Sequence, residues 1–284
     1  MQTLVSVNDL LTNLQSSDWA LFDCRFSLVN SAAGLKSYQL DHIPDAHYAD
    51  LNDDLSDPVV AGETGRHPLP DMDSWIEKIR SWGISPATQV VAYDATGGPF
   101  AARLWWLFRW IGHQRVAVLD GGWRAWMNRK YPVTPDLPDP VTESNYQAGP
   151  SLTRTMDADH LLAGIKDNSV RLLDAREGAR FRGEEEPLDA VAGHIPGAAC
   201  VPFAENLDDN GFFRPVEQLR ERFDPYLARA DRENGQSVVC YCGSGVTAAH
   251  NILAIVHAGF EEPILYPGSW SEWILDPERP IETG

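Results

Sequence analysis

Short runs of β-branched and aliphatic residues alternate with longer stretches of helical period along the whole chain. In the first half "ALFD" (20–23), "VVAY" (90–93) and "VAVL" (116–119) read as buried strands. Residues 99–111 read as a helix with Pro99 in its first turn. In the second half "RLLD" (171–174), "VVCY" (238–241) and "PILY" (263–266) are the strands, and 246–257 is a helix closed by Gly259. Strand–helix alternation predicts α/β domains, each a mostly parallel sheet flanked by helices. In such sheets the working residues gather at the carboxyl ends of strands.

The pattern occurs twice. "LFDCR" (21–25) matches "LLDAR" (172–176), and "DHIPDAHYADL" (41–51) matches "GHIPGAACVPF" (193–203). "VVAYDATGG" (90–98) matches "VVCYCGSGV" (238–246), and "VLDGGWRAW" (118–126) matches "LYPGSWSEW" (265–273). Four blocks in one order, at nearly constant offset, indicate a duplication. Between the halves runs a proline-rich stretch, which favours an extended connector. The expected division is a domain over 1–130, a linker over 131–153 and a domain over 154–284.

Composition narrows the field. With 41 acidic against 23 basic residues the formal charge is -18, which disfavours nucleic acid or an anionic membrane as partner. The stretch "LWWLFRWIG" is too short to span a bilayer, and the amino-terminal residues lack the basic start of a signal peptide, so a cytoplasmic location is expected. Trp105, Trp106 and Trp110, on one predicted helix, read as core. Four cysteines in 284 residues are too few for a disulfide scaffold, and none forms a C-x-x-C zinc pattern; no metal or organic cofactor is expected.

One cysteine differs from the rest. Cys242 closes a predicted strand and opens "CGSGVT", just before a helix. Small residues let backbone amides point at one atom, and the helix start adds partial positive charge; both favour a nucleophilic thiolate. Gly243, Gly245, Val246 and Thr247 form the expected anion cradle, and Ser244 supplies a hydroxyl. The equivalent residue of the first half is Asp94, which cannot attack sulfur as a thiolate does. Cys24, Cys200 and Cys240 read as buried and inert. A thiolate phosphatase needs an arginine closing the loop; Ala248 and Ala249 stand there instead.

The paired D-[AC]-R and H-I-P blocks, with Asp in the first loop and Cys in the second, resemble a tandem rhodanese-type sulfurtransferase. The loop "CGSGVT" resembles the 3-mercaptopyruvate sulfurtransferase branch. The resemblance implies two tandem rhodanese-like domains, the first catalytically silent. It implies that a small anionic donor passes its sulfane sulfur to Cys242. A small thiol, a thioredoxin-like protein or cyanide then removes it. It implies that Arg180 binds the donor carboxylate and that Ser244 and His42 form a serine–histidine relay. Relatives place a second arginine where Leu188 and Asp189 stand here, and Arg182 is the expected substitute. Thiosulfate as donor is the alternative, and a non-catalytic binding module a more distant one. Asp23 with Arg25, and Asp174 with Arg176, read as fold-holding ion pairs, and His194 as structural.

Overall fold

The computed structural model of the chain describes residues 2–227 and 235–284. Its contacts divide into two units. One comprises Met1–Asp57, Leu69–Leu152 and Asp209–Phe213; the other comprises Pro58–Pro68, Thr153–Asp208 and Arg214–Gly284. Each unit thus holds most of one sequence half and a short segment of the other.

In the first unit β1 (Leu4–Val5), β2 (Trp19–Asp23), β3 (Ala46–Tyr48), β4 (Gln89–Tyr93) and β5 (Val116–Leu119) form one sheet in the order β1-β5-β4-β2-β3. Every pairing is parallel. A parallel sheet is covered on both faces, which is why its central strands are apolar at consecutive positions. Val90, Val91, Ala92 and Tyr93 are all buried. The helix Pro99–Trp110 follows β4 and is buried from Pro99 through Arg109, with Trp105 and Trp106 wholly enclosed. Beyond it, residues 131–152 run without helix, touching the unit through a bridge of Thr134 to His42 and a buried Tyr146.

The second unit repeats the plan. Its strands β6 (Val170–Asp174), β7 (Ala199–Cys200), β8 (Ser237–Tyr241) and β9 (Ile264–Leu265) form a parallel sheet in the order β7-β6-β8-β9. The strand expected over 263–266 is shorter than its apolar run, and a single bridge from Thr155 to Leu265 stands where β1 stands in the first unit. The helix Thr247–His257 follows β8, and Gly259 just beyond it has φ +84°. The expected architecture, two α/β units with parallel sheets flanked by helices, is the one the chain adopts. No helix among the described residues is long and apolar enough to cross a membrane.

The repeated blocks are the scaffolding of both units. Asp23 neighbours Tyr93 across β2 and β4, and Asp174 neighbours Tyr241 across β6 and β8. Each aspartate pairs with the arginine two residues on, Asp23 with Arg25 at 2.7 Å and Asp174 with Arg176 at 2.6 Å, all buried. Each arginine then reaches a carbonyl before the H-I-P turn, that of Asp41 or Gly193, and each tyrosine hydroxyl accepts the amide of Ile43 or Ile195. These pairs hold the ends of β4 and β8, where the two loops of interest begin.

Candidate active site

β8 delivers Cys242 to the carboxyl edge of its sheet, and three contacts fix the backbone there. The Cys242 amide donates to Ser269 Oγ (3.1 Å), Trp270 N–H donates to the Cys242 carbonyl (2.9 Å), and Ser271 N–H to the Gly243 carbonyl (3.0 Å). Ser269 holds its hydroxyl in place from a left-handed backbone, φ +55°, a conformation that costs a non-glycine residue energy and is found where geometry is over-determined. Gly245 has φ +77°, and a Cβ there would come 2.6 Å from the Pro267 carbonyl oxygen; only glycine fits. Val246 precedes the helix, and Thr247 is its first residue.

Cys242 is 2 % exposed as a residue, and its sulfur accepts the Ser244 amide at 3.5 Å. The other thiols are a contrast. Burial pushes Cys24 and Cys240 well above the ordinary thiol range, and burial also raises Cys200.

Over the loop stand two guanidinium groups. A methyl at Gly243 would lie 2.7 Å from Arg66 Nη2 and 3.5 Å from both Nη1 and Nη2 of Arg180. Arg180 donates through Nε and Nη2 to Glu186 (3.1 and 2.6 Å), and through Nη2 to Asp189 (3.1 Å). Burial pushes the Asp189 carboxyl up, against the pull of Arg66. Arg182, expected nearby, is instead a surface residue: its side chain is 48 % exposed and donates twice to Glu184. A neighbouring glutamate two residues away captures it first.

The serine–histidine pair exists, with a different histidine. His67 Nδ1 lies 2.7 Å from Ser244 Oγ, both residues buried. His42 belongs to the other unit, wholly buried, with Nδ1 facing the Tyr38 carbonyl (2.7 Å), Nε2 facing the Asp136 carbonyl (3.0 Å) and its ring stacked on Tyr38. It repeats His194, which faces the Phe181 carbonyl and stacks on Phe181. Both H-I-P histidines are therefore structural, and the expectation for His42 is corrected. Arg66 and His67 escaped the sequence reading because "TGRHPLP" lies outside all four repeated blocks. Gly65 and Pro68 flanking a charged pair were the available signal.

The first unit's equivalent loop is filled by its own side chain. Thr96 and Gly98 amides donate to Asp94 Oδ1 (2.8 and 2.9 Å), while Phe100 and Ala101 amides donate to Oδ2 (2.9 and 3.1 Å). In the repeat register these four correspond to Ser244, Val246, Ala248 and Ala249.

A cysteine-bearing loop between a parallel strand and a helix, in the second of two repeated units, defines a class. Residues 6–129 and 157–276 match the family described as Rhodanese-like domain. The chain belongs to this family. It is 46 % identical over 282 residues to a probable 3-mercaptopyruvate sulfurtransferase of Pseudomonas aeruginosa, covering 99 % of this chain and 98 % of that one. It is 39 % identical over 290 residues to a putative thiosulfate sulfurtransferase of Mycobacterium tuberculosis, covering 100 % of this chain and 98 % of the relative. The solved 3-mercaptopyruvate sulfurtransferase from Leishmania major superposes with a TM-score of 0.80 at 29 % identity, covering 96 % of this chain and 74 % of that one.

Proposed function

We propose that the chain is a sulfurtransferase that carries sulfur from 3-mercaptopyruvate through a persulfide on Cys242 to a thiol or to cyanide. The observation that carries this reading is Asp94. Its carboxylate oxygens stand two bonds from Cβ, as does the outer sulfur of a cysteine persulfide, and they meet four amides. The repeat register sets the Ser244, Val246 and Ala248 amides at the matching positions after Cys242, while the Ala249 amide donates to the Val246 carbonyl (3.1 Å). A terminal sulfur bearing negative charge, one bond beyond Sγ, suits such a set of amides.

The Cys242 thiolate attacks the donor sulfur, forming an S–S bond as the C–S bond of mercaptopyruvate breaks. The bonding pair leaves on carbon as the pyruvate enolate. Ser244 protonates it, and His67, on the serine hydroxyl, supplies the replacement proton. An acceptor thiolate then attacks the outer sulfur, leaving as a persulfide and returning Cys242 as thiolate; cyanide leaves as thiocyanate. Arg180 binds the donor carboxylate.

Local charge favours the keto acid over thiosulfate. Arg66 and Arg180 are matched by Glu186 and Asp189, so little net positive charge remains to receive a dianion and its departing sulfite. A carboxylate needs only directed N–H groups. The test is kcat/KM for both donors with one acceptor, beside the intact mass after donor treatment alone. The expected results are a higher value for 3-mercaptopyruvate and a gain of about 32 Da, one sulfur on the thiolate. Equal or better use of thiosulfate overturns the donor assignment, and turnover without the adduct overturns the persulfide.

A further inference from the structure

Arg66 comes from the first half of the sequence, yet its segment belongs to the unit that carries Cys242. Three consecutive residues are pinned there. Gly65 lies so near the 268–271 turn that a Cβ would meet the Gly268 carbonyl oxygen at 2.6 Å and Ser271 Oγ at 2.8 Å. The Arg66 amide donates to that same Ser271 hydroxyl (3.0 Å), and His67 holds Ser244. The Arg66 guanidinium is thereby aimed at Gly243, the residue after the nucleophile.

Asp189 ties this guanidinium to a second one. Its Oδ2 lies 3.3 Å from Arg66 Nη2 and 3.1 Å from Arg180 Nη2. One buried oxygen therefore sets two arginines side by side over one glycine. Arg180 spends Nε and Nη2 on carboxylates. Arg66 does not: its Nε is buried and has no hydrogen-bond partner among the described residues. A buried charged donor left unpaired is costly, and it leaves this guanidinium less fully satisfied than that of Arg180. The side chain as a whole is 28 % exposed, so an incoming anion meets it beyond the enclosed Nε.

We propose that Arg66 is a second donor-binding residue, gripping the carboxylate of an α-keto acid together with Arg180, while Asp189 is the positioning residue that spaces the two. This rests on the sulfurtransferase reading for the identity of the donor, but not for the recognition of a carboxylate. Arg66 thus supplies, from a distant part of the sequence, the second cation missing at Leu188 and Asp189.

Two measurements separate the claims. In turnover, Arg66→Ala should raise KM for 3-mercaptopyruvate about ten- to a hundredfold, the worth of one charge-assisted hydrogen bond, with kcat within a few-fold of wild type. In alkylation of Cys242, the ratio of iodoacetate to iodoacetamide rate constants should fall about tenfold in Arg66→Ala, and Arg66→Lys should restore part of it. A protein that is merely destabilised loses both reagents' rates alike, which leaves the ratio unchanged and overturns the inference, as does an unchanged KM. If wild type moves no sulfur from 3-mercaptopyruvate, the sulfurtransferase reading fails while the alkylation ratio still decides the role of Arg66.

Discussion

His67 and Ser244 stand 177 positions apart in the chain and share a hydrogen bond of 2.7 Å. Neither is exposed enough for water to replace the other readily. Positioned proton transfer contributes about a hundredfold or more to rate. His67→Asn should therefore lower kcat with 3-mercaptopyruvate about a hundredfold, and Ser244→Ala comparably. The double variant should be little worse than either single one, as for residues acting as a unit. His42→Asn is the control. Its ring serves two backbone carbonyls of its own unit, so melting temperature should fall and kcat should stay within a few-fold of wild type. Steady-state kinetics with thermal melting on all four proteins checks this, and a rate loss for His42→Asn larger than for His67→Asn contradicts it.

Cys242→Ser should abolish turnover and the persulfide mass gain. Cys24→Ser, Cys200→Ser and Cys240→Ser should retain most of both, because burial keeps those thiols protonated. Intact mass after donor treatment, read across the four variants, decides between them. A sulfur adduct persisting in Cys242→Ser sinks the assignment.

Asp94→Asn puts an N–H donor where two backbone amides now donate to one carboxylate oxygen. A buried polar group losing its partner costs about 1–3 kcal/mol. The melting temperature should drop by several degrees, while kcat/KM stays near the wild-type value. A large loss of rate at unchanged melting temperature would show that this loop takes part in turnover.

Acid should weaken the fold through histidine. Burial holds His47, His113 and His257 below the ordinary imidazole value of 6.5. The unfolded chain takes up their protons first, so this stability is complete above pH 6.5 and is lost as pH falls through the lowered values. His113 is the one to change: burial is the main cause of its lowering, its Nε2 faces the Thr88 carbonyl and its Nδ1 the Tyr146 hydroxyl. Melting temperature should decline as pH falls below about 6.5, and His113→Gln should flatten that slope. An unaltered slope assigns the acid sensitivity elsewhere.

The sequence displayed its sheets and loops because buried parallel strands leave uninterrupted apolar runs, as in Val90–Val91 and Val238–Val239, and because duplication shows each block twice. Edge strands of two or three residues, β1, β3 and β7, have too little pattern to read. Cys242 was visible from its glycines and its place before a helix. Arg66 and His67 were not: their roles come from tertiary placement of an irregular segment, which has no period to read. His42 misled for the opposite reason. Its H-I-P context is regular and repeated, and that regularity marks a turn that both units need for folding.

The segment Pro58–Pro68 is made long before the unit it completes. On a ribosome the first unit's strands β1 to β5 are all available while Gly65, Arg66 and His67 still have nothing to bind. Gly65 and the Arg66 amide wait longest, until the turn at residues 268–271 emerges to meet them. The surroundings of Cys242 are thus complete only once residues 268–271 have been made, because the hydroxyls of Ser269 and Ser271 are what hold the Cys242 and Arg66 amides.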